Sequence, residues 1–312
     1  MTELAFLFPG QGSQVLGMGK GLAERFPSAQ EWLQTAEETT NLPLRRWMWE
    51  EDGQALNLTS RTQPALLAVE LAYLRVLGEL GVRPAASAGH SLGEFAALVA
   101  AGVLEPAAAL RLVVIRARLM EEAFPAGQGG MVAVVGLTDE EVEHLCMDVS
   151  AQVHPLLVEP VNYNSPGQLV VAGHTEALAL LGERARVAGA RLVRALAVSG
   201  PFHSRLMQAA ADRFGGELAK EEFSDPSCLL VSSVSGEVVR SGEEARELLA
   251  RQMASAVRWV QVVHTLKNQG YRRYLEVGPG KVLAGLIRRI DPEAEMQMVE
   301  EIESAGFSKL TG

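Results

Sequence analysis

Cysteine is almost absent from this chain of 312 residues, which has only Cys146 and Cys228. Neither has a CxxC or Cys/His spacing, so a disulfide framework, a metal site and a dithiol redox centre are set aside, and both read as reduced structural thiols. Long apolar runs are missing as well. No stretch reaches the roughly 18 residues that a membrane span needs, and the segment from Met1 to Pro9 has neither a basic n-region nor a small-residue cleavage site. The expectation is a cytoplasmic protein with no membrane partner. Basic residues are in deficit: 28 Lys and Arg stand against 38 Asp and Glu, a net charge of -10. A polyanion would be repelled at long range, so no nucleic-acid partner is expected, although local basic patches are compatible with that balance.

What the chain does have is apolar content, 48% against 21% charged, enough to bury a large core in one big domain or two moderate ones. Thr2 to Phe8 reads as a buried strand stopped by Pro9 and the glycine loop Gly10-Gln11-Gly12-Ser13-Gln14. Gln63-Pro64 opens a helical stretch from Ala65 to Leu80 closed by Gly81, and Pro106 opens another from Ala107 to Ala123. Apolar runs at Cys228 to Ser233 and Tyr271 to Val277 alternate with helices, as a parallel sheet covered by helices requires.

From Gly130 to Val198 the order changes. Met131 to Leu137 reads as a strand, Thr138 opens a helix with a capping box, Leu156 to Tyr163 and Gln168 to Ala172 are strands, Thr175 to Ala188 is a helix, and Arg191 to Val198 is a last strand. The order βαββαβ is that of a ferredoxin-like unit. Flexible stretches, Pro125 to Gly130 and Ser199 to Pro201, bound it. The fold class expected is therefore α/β: a large domain (residues 1–128 and 199–312) with a parallel sheet, carrying an inserted ferredoxin-like subdomain (residues 129–198). The active site is expected in the cleft between them.

Gly89-His90-Ser91-Leu92-Gly93 fits G-x-S-x-G, in which a serine stands on a strand-to-helix turn. Leu92 to Ala101 is helix-forming, so the backbone N–H of Leu92 and the helix dipole could hold an oxyanion formed when Ser91 attacks a carbonyl. The bland alternative is a glycine-flanked turn with a capping serine. Six histidines compete to be its base. His144, His154 and His174 belong to the inserted unit, and His90 points away from Ser91 within the turn. His203 lies where the chain re-enters the large domain and is favoured over His264, which sits on a helix. On the helix from Ala107 to Ala123, Arg116 has Leu112, Val113, Leu119 and Met120 as its neighbours three and four residues away, so its guanidinium leaves an apolar face. Such an arginine needs a carboxylate, supplied either by the protein or by a substrate. Arg118 reads as solvated.

Seven motifs recur in order: Pro9 to Gln14, Gly89 to Glu94, Arg116 with Met120, Asn162 to Gln168, Phe202-His203-Ser204, Arg251-Gln252, and Glu276 to Lys281. With these the chain resembles, nearly end to end, the bacterial malonyl-CoA:acyl carrier protein transacylases of fatty acid synthesis. The resemblance implies a hydrolase-like α/β domain with a ferredoxin-like insertion, and a ping-pong transfer of malonyl through an ester on Ser91. It implies His203 as base, Arg116 as the grip on the malonyl carboxylate, Gln11 with Leu92 as oxyanion support, and Gln252 orienting His203 through its backbone carbonyl. Phe202 resembles the bulky residue that disfavours a methyl branch, and Met120 and Asn162 are implied at the substrate. Ala117 stands where glycine often follows the arginine. The implied partners are malonyl-CoA and acyl carrier protein, with no cofactor and no metal, and a monomer is expected. Arg191, Arg194, Lys281, Arg288 and Arg289 are candidate contacts for the acidic carrier, against the reading of plain solvated faces. The rivals are a polyketide-synthase acyltransferase and a serine thioesterase or esterase, whose triad would be completed by Asp225 and His264.

Overall fold

The computed structural model describes residues 3–51, 53–125 and 127–301. Thr2 of the expected first strand, Ala126 of the expected domain boundary and the stretch 302–312 of the expected large domain lie outside the described residues. Ten strands follow in order among those described: β1 Leu4–Phe8, β2 Ala86–Gly89, β3 Gly129–Val135, β4 Val158–Ser165, β5 Gln168–His174, β6 Leu192–Ala195, β7 Leu229–Val231, β8 Val238–Val239, β9 Arg273–Glu276 and β10 Glu295–Met298. They form a six-stranded sheet, β10-β9-β1-β2-β7-β8, and a four-stranded sheet, β4-β5-β3-β6. The protein is thus α/β, with a mixed sheet and a second, antiparallel one.

Five strands of the large sheet pair in parallel. The expected parallel sheet needs one correction: β8 turns back antiparallel on β7. Ser232 N–H donates to the Glu237 carbonyl and Gly236 N–H to the Ser232 carbonyl across that turn. A strand of two residues is too short to leave an alternation in the sequence.

Alternation decides where each core lies. Phe6 and Phe8 of β1 enter one apolar cluster and Ala5 and Leu7 another, so the strand is buried on both faces beneath helices. The small sheet divides the same way. Val132 and Val134 of β3, with Leu169 and Val171 of β5, pack on the helices Asp139–Gln152 and Thr175–Val187. Met131 and Ala133, with Val170 and Ala172, join the main core instead. The capping box at Thr138 is formed in both directions: Glu141 N–H donates to Thr138 Oγ1 at 3.2 Å, and Thr138 N–H to Glu141 Oε2 at 2.7 Å. One punctuation mark was misplaced. The helix expected to open at Pro64 runs Thr59–Glu79, with Pro64 inside it, because the backbone ladder is already under way at Arg61 and Thr62, whose N–H groups donate to the Leu58 carbonyl at 2.9 and 2.8 Å. Among the described residues no helix is long and apolar enough to cross a membrane.

Where β1, β2 and the helix Gly93–Ala100 meet, side chains are excluded. A Cβ on Gly93 would lie 2.1 Å from the Phe8 carbonyl oxygen, and one on Gly89 2.0 Å from the Gly93 carbonyl carbon. Both obstacles are backbone, so neither can swing aside. Gly93→Ala is expected to lower unfolding free energy by about 3 kcal/mol or more in urea titrations. Gly285, in open space within the helix Val282–Ile290, should by contrast gain about 0.5–1 kcal/mol on replacement by alanine. A loss below 1 kcal/mol at Gly93 would show that the helix can retreat from the sheet.

Candidate active site

The turn after β2 is drawn tight by backbone hydrogen bonds from His90 to Phe8, Gly93 to His90 and Glu94 to Ser91. Ser91 occupies the left-handed region at φ 52, and His203, from the loop after β6, does so at φ 65. For residues with a Cβ that conformation costs on the order of 1–3 kcal/mol and persists only where surroundings impose it. Here both residues are aimed at one another: Ser91 Oγ lies 2.7 Å from His203 Nε2.

The other ring nitrogen settles the tautomer. His203 Nδ1 is 3.0 Å from the Gln252 carbonyl and 3.2 Å from the Ser255 carbonyl. Carbonyls only accept, so Nδ1 carries the hydrogen and Nε2 offers a lone pair to the Ser91 hydroxyl. Burial pushes the imidazole pKa down to about 3, with the Arg116 charge beside it acting the same way. The ring is a neutral acceptor across the physiological range.

Arg116, on the helix Pro106–Glu122, is 0% exposed. Its Nη1 donates to Gln63 Oε1 at 2.7 Å, and Nη2 to Gln252 Oε1 at 2.8 Å and to Ser91 Oγ at 3.2 Å. Nε is buried with no partner among the described residues. Burial draws the guanidinium pKa down to about 9, opposed by the Glu94 charge, so the group stays cationic at neutral pH. No carboxylate touches it among the described residues. Gln252 contributes twice, since its Nε2 also donates to the Ser91 carbonyl at 2.9 Å and to Glu94 Oε2 at 2.6 Å.

The remaining expected residues stand at varying distances from this centre. Gln11 is in the loop packed on the nucleophile turn, where a Cβ on Gly10 would meet the His90 carbonyl oxygen at 2.5 Å; its side chain donates to Thr59 Oγ1. Met120 Sδ accepts from Gln63 Nε2 at 3.4 Å, so Met120 flanks the arginine network. Phe202 is buried next to His203. Leu92 is buried at the start of the helix, and among the described residues its N–H has no acceptor. Asn162 is buried with an unpartnered Oδ1, on the stretch of β4 that bridges to Val257, two residues from Ser255. No direct bond joins Asn162 to Ser91 or Arg116 among the described residues. His90 faces away, with Nε2 2.9 Å from Asn164 Oδ1 and its ring on the edge of Trp259. His264 is exposed on its helix and Asp225 caps Gly242 N–H, so the triad of a hydrolase is not assembled from them. Arg118 is exposed.

Two residues of the network were not singled out from the sequence. Gln63 reads from the sequence as helix punctuation, although its i+3 and i+4 neighbours, Leu66 and Leu67, mark a buried face on which a polar side chain is unusual. Glu94 stands in the sequence only as the end of the motif Gly89 to Glu94. Two surface grooves, of about 520 Å³ beside Trp32 and Arg83 and about 560 Å³ beside Met131 and Leu178, contain none of the nine expected site residues in their walls.

A model of the acyl transferase domain family matches residues 5–307. The malonyl CoA-acyl carrier protein transacylase of Escherichia coli strain K12 is 43% identical over 293 residues, spanning 93% of each chain. That of Bacillus subtilis strain 168 is 39% identical over 304 residues, spanning 97% of this chain and 95% of its own. A solved acyl carrier protein S-malonyltransferase from Vibrio cholerae superposes with TM-score 0.92 at 40% identity, covering 98% of this chain and 100% of its own. A malonyl-transacylase solved in complex with its type II PKS acyl-carrier protein gives 0.92 at 41% identity, covering 95% of this chain and 96% of its own.

The depressed pKa of His203 has a signed consequence. In the unfolded chain the ring takes up a proton below about pH 6.5, whereas in the folded chain it does so only near 3. Folding stability should therefore fall as pH drops through that window and be unaffected by this group above it. Urea unfolding of the parent and of His203→Gln between pH 7 and pH 4 should show the parent losing stability relative to the variant; parallel curves would contradict the burial of a neutral ring.

Proposed function

The chain belongs to the acyl transferase domain family, and from that premise we propose that it moves the malonyl group of malonyl-CoA to the phosphopantetheine thiol of acyl carrier protein. The observation that carries this reading is Arg116, a buried cation 3.2 Å from the hydroxyl of Ser91 with no carboxylate against it among the described residues. A simple esterase has no use for such a charge; an acyl group that ends in a carboxylate does.

In the reaction as we read it, Ser91 Oγ attacks the thioester carbon while His203 Nε2 takes its proton. The carbonyl electrons move onto oxygen, where the Leu92 N–H and the Gln11 loop would stabilise them. On collapse the carbon–sulfur bond breaks, and CoA leaves as the thiol with the proton from His203. The carrier thiol then gives its proton to His203, attacks the malonyl ester, and Ser91 recovers its hydrogen. Thioester to ester to thioester is nearly balanced, so excluding water is the main demand on the site. The atoms balance without metal or cofactor. Arg116 holds the malonyl carboxylate flanked by Met120, Phe202 fills the space that a methyl branch would need, and Asn162 belongs to the wall on the β4 side. Gln252 orients His203.

The finer architecture is part of the same reading. We take residues 1–128 and 199–312 as a hydrolase-like unit and residues 129–198 as a ferredoxin-like insertion; the strand order β4-β5-β3-β6 supports the latter. The carrier protein would dock against exposed basic residues, Arg191, Arg194, Lys281, Arg288 and Arg289, of which Arg289 also donates to Gln168. A single chain in the cytoplasm supplies all the groups required. A second reading, in which the carrier serves a polyketide synthase in place of fatty acid synthesis, is favoured by the likeness to the malonyl-transacylase solved with a type II PKS carrier. A panel of carrier proteins from both systems separates the two by relative turnover.

Intact-mass measurement after mixing with malonyl-CoA should reveal a malonyl adduct that is absent in Ser91→Ala and discharged by holo carrier protein. Rapid release of free malonate without an adduct would instead identify a hydrolase. In Arg116→Ala, kcat/KM for malonyl-CoA should fall on the order of 10²- to 10⁴-fold, the equivalent of about 3–5 kcal/mol, with acetyl-CoA gaining relative to it. Equal turnover of malonyl-CoA by that variant would remove Arg116 from the role.

A further inference from the structure

Glu94 opens the helix that begins at the nucleophile turn, and its carboxylate is buried. Oε1 accepts from the Ser232 hydroxyl at 2.6 Å and the Ser233 N–H at 3.2 Å. Oε2 accepts from the Ser233 hydroxyl at 2.7 Å and from Gln252 Nε2 at 2.6 Å. The Gln252 nitrogen also donates to the Ser91 carbonyl. Carboxylate and carbonyl are both acceptors, so together they hold the amide NH2 on their side and turn Oε1 toward Arg116. There Oε1 takes the Nη2 that also reaches Ser91 Oγ.

A cation in an apolar setting needs a countercharge nearby. A carboxylate in direct contact, however, would occupy the guanidinium fork and exclude an incoming carboxylate. Glu94 stands one amide away, where it offsets the charge of Arg116 without competing for its hydrogens. Resting on the malonyl reading above, we infer that Glu94 is a positioning residue that sets acyl specificity: through Gln252 it aims Arg116 at the acyl pocket without placing a carboxylate on the guanidinium.

The test compares the parent with Glu94→Gln, Glu94→Asp and the exchange Glu94→Gln/Gln252→Glu, each first checked for cooperative thermal unfolding. The preference for malonyl-CoA over acetyl-CoA in acylating Ser91 is read by intact mass. In Glu94→Gln, which sets an amide against an amide and frees Gln252 to turn over, that preference should fall about tenfold or more, the weight of one hydrogen bond to a charged group. Glu94→Asp should recover part of it. The exchange variant keeps the buried charge but puts it on Arg116, so it should lose the preference as fully as Glu94→Gln, and it decides the matter should Glu94→Gln fail to fold. Side-chain amide resonances of Gln252, assigned by their loss in Gln252→Glu, should shift in Glu94→Gln with no substrate present. Unchanged resonances, or a malonyl preference retained by the exchange variant, would overturn the inference. A parent without malonyl preference would overturn the functional reading first, before any substitution is made.

Discussion

A guanidinium removed from water governs this site. Arg116 has none of its surface exposed, and desolvation alone would favour losing its proton. What keeps it cationic is a set of neutral oxygens, Gln63 Oε1, Gln252 Oε1 and Ser91 Oγ, with the charge of Glu94 behind one of them. In a medium of low dielectric that charge reaches further than it would in water. The same cation adds to the burial that holds down the pKa of His203, so one buried charge also helps to keep that imidazole neutral.

The dyad, in turn, is bought with backbone strain. Ser91 and His203 both sit at positive φ, and each is pinned by bonds made outside its own side chain. The Ser91 carbonyl accepts from Gln252 Nε2 and Glu94 N–H, while the His203 N–H donates to the Met253 carbonyl at 2.9 Å. The segment Gln252–Ser255 therefore touches Ser91, His203 and Arg116 at once. Close backbone contact at Gly89 and Gly93 fixes the remaining freedom of the turn.

The four-stranded sheet is not a loose appendage. One face of it closes over its own helices and the other contributes Met131, Ala133, Val170 and Ala172 to the main core. Strand β4 is stitched to the opposite side by two backbone bonds, Tyr163 N–H to the Val257 carbonyl at 2.9 Å and Val257 N–H to the Val161 carbonyl at 2.8 Å. That seam ends two residues from the Ser255 carbonyl that faces the histidine.

Much of this was legible without coordinates. Periodicity and turn residues located eight of the ten strands approximately or by implication of order, missing β10, which is not a run of apolar residues, and the two-residue β8, whose pairing depends on a hairpin and not on any apolar pattern. Gly-His-Ser-Leu-Gly identified a strand-to-helix turn because only glycine survives there, and the apolar neighbours of Arg116 announced a buried charge. What local sequence could not express was which polar groups, distant along the chain, would share that charge. Gln63, Glu94 and Gln252 come from three separate helical segments, and the amide orientation of Gln252 follows from two acceptors, the Ser91 carbonyl and the Glu94 carboxylate, at the start of just one of them. A residue's type and spacing determine its own backbone and the face it buries; the hydrogen-bond partners that satisfy a buried polar atom are set by whichever chain segments pack beside it, and that is decided only when the whole core closes.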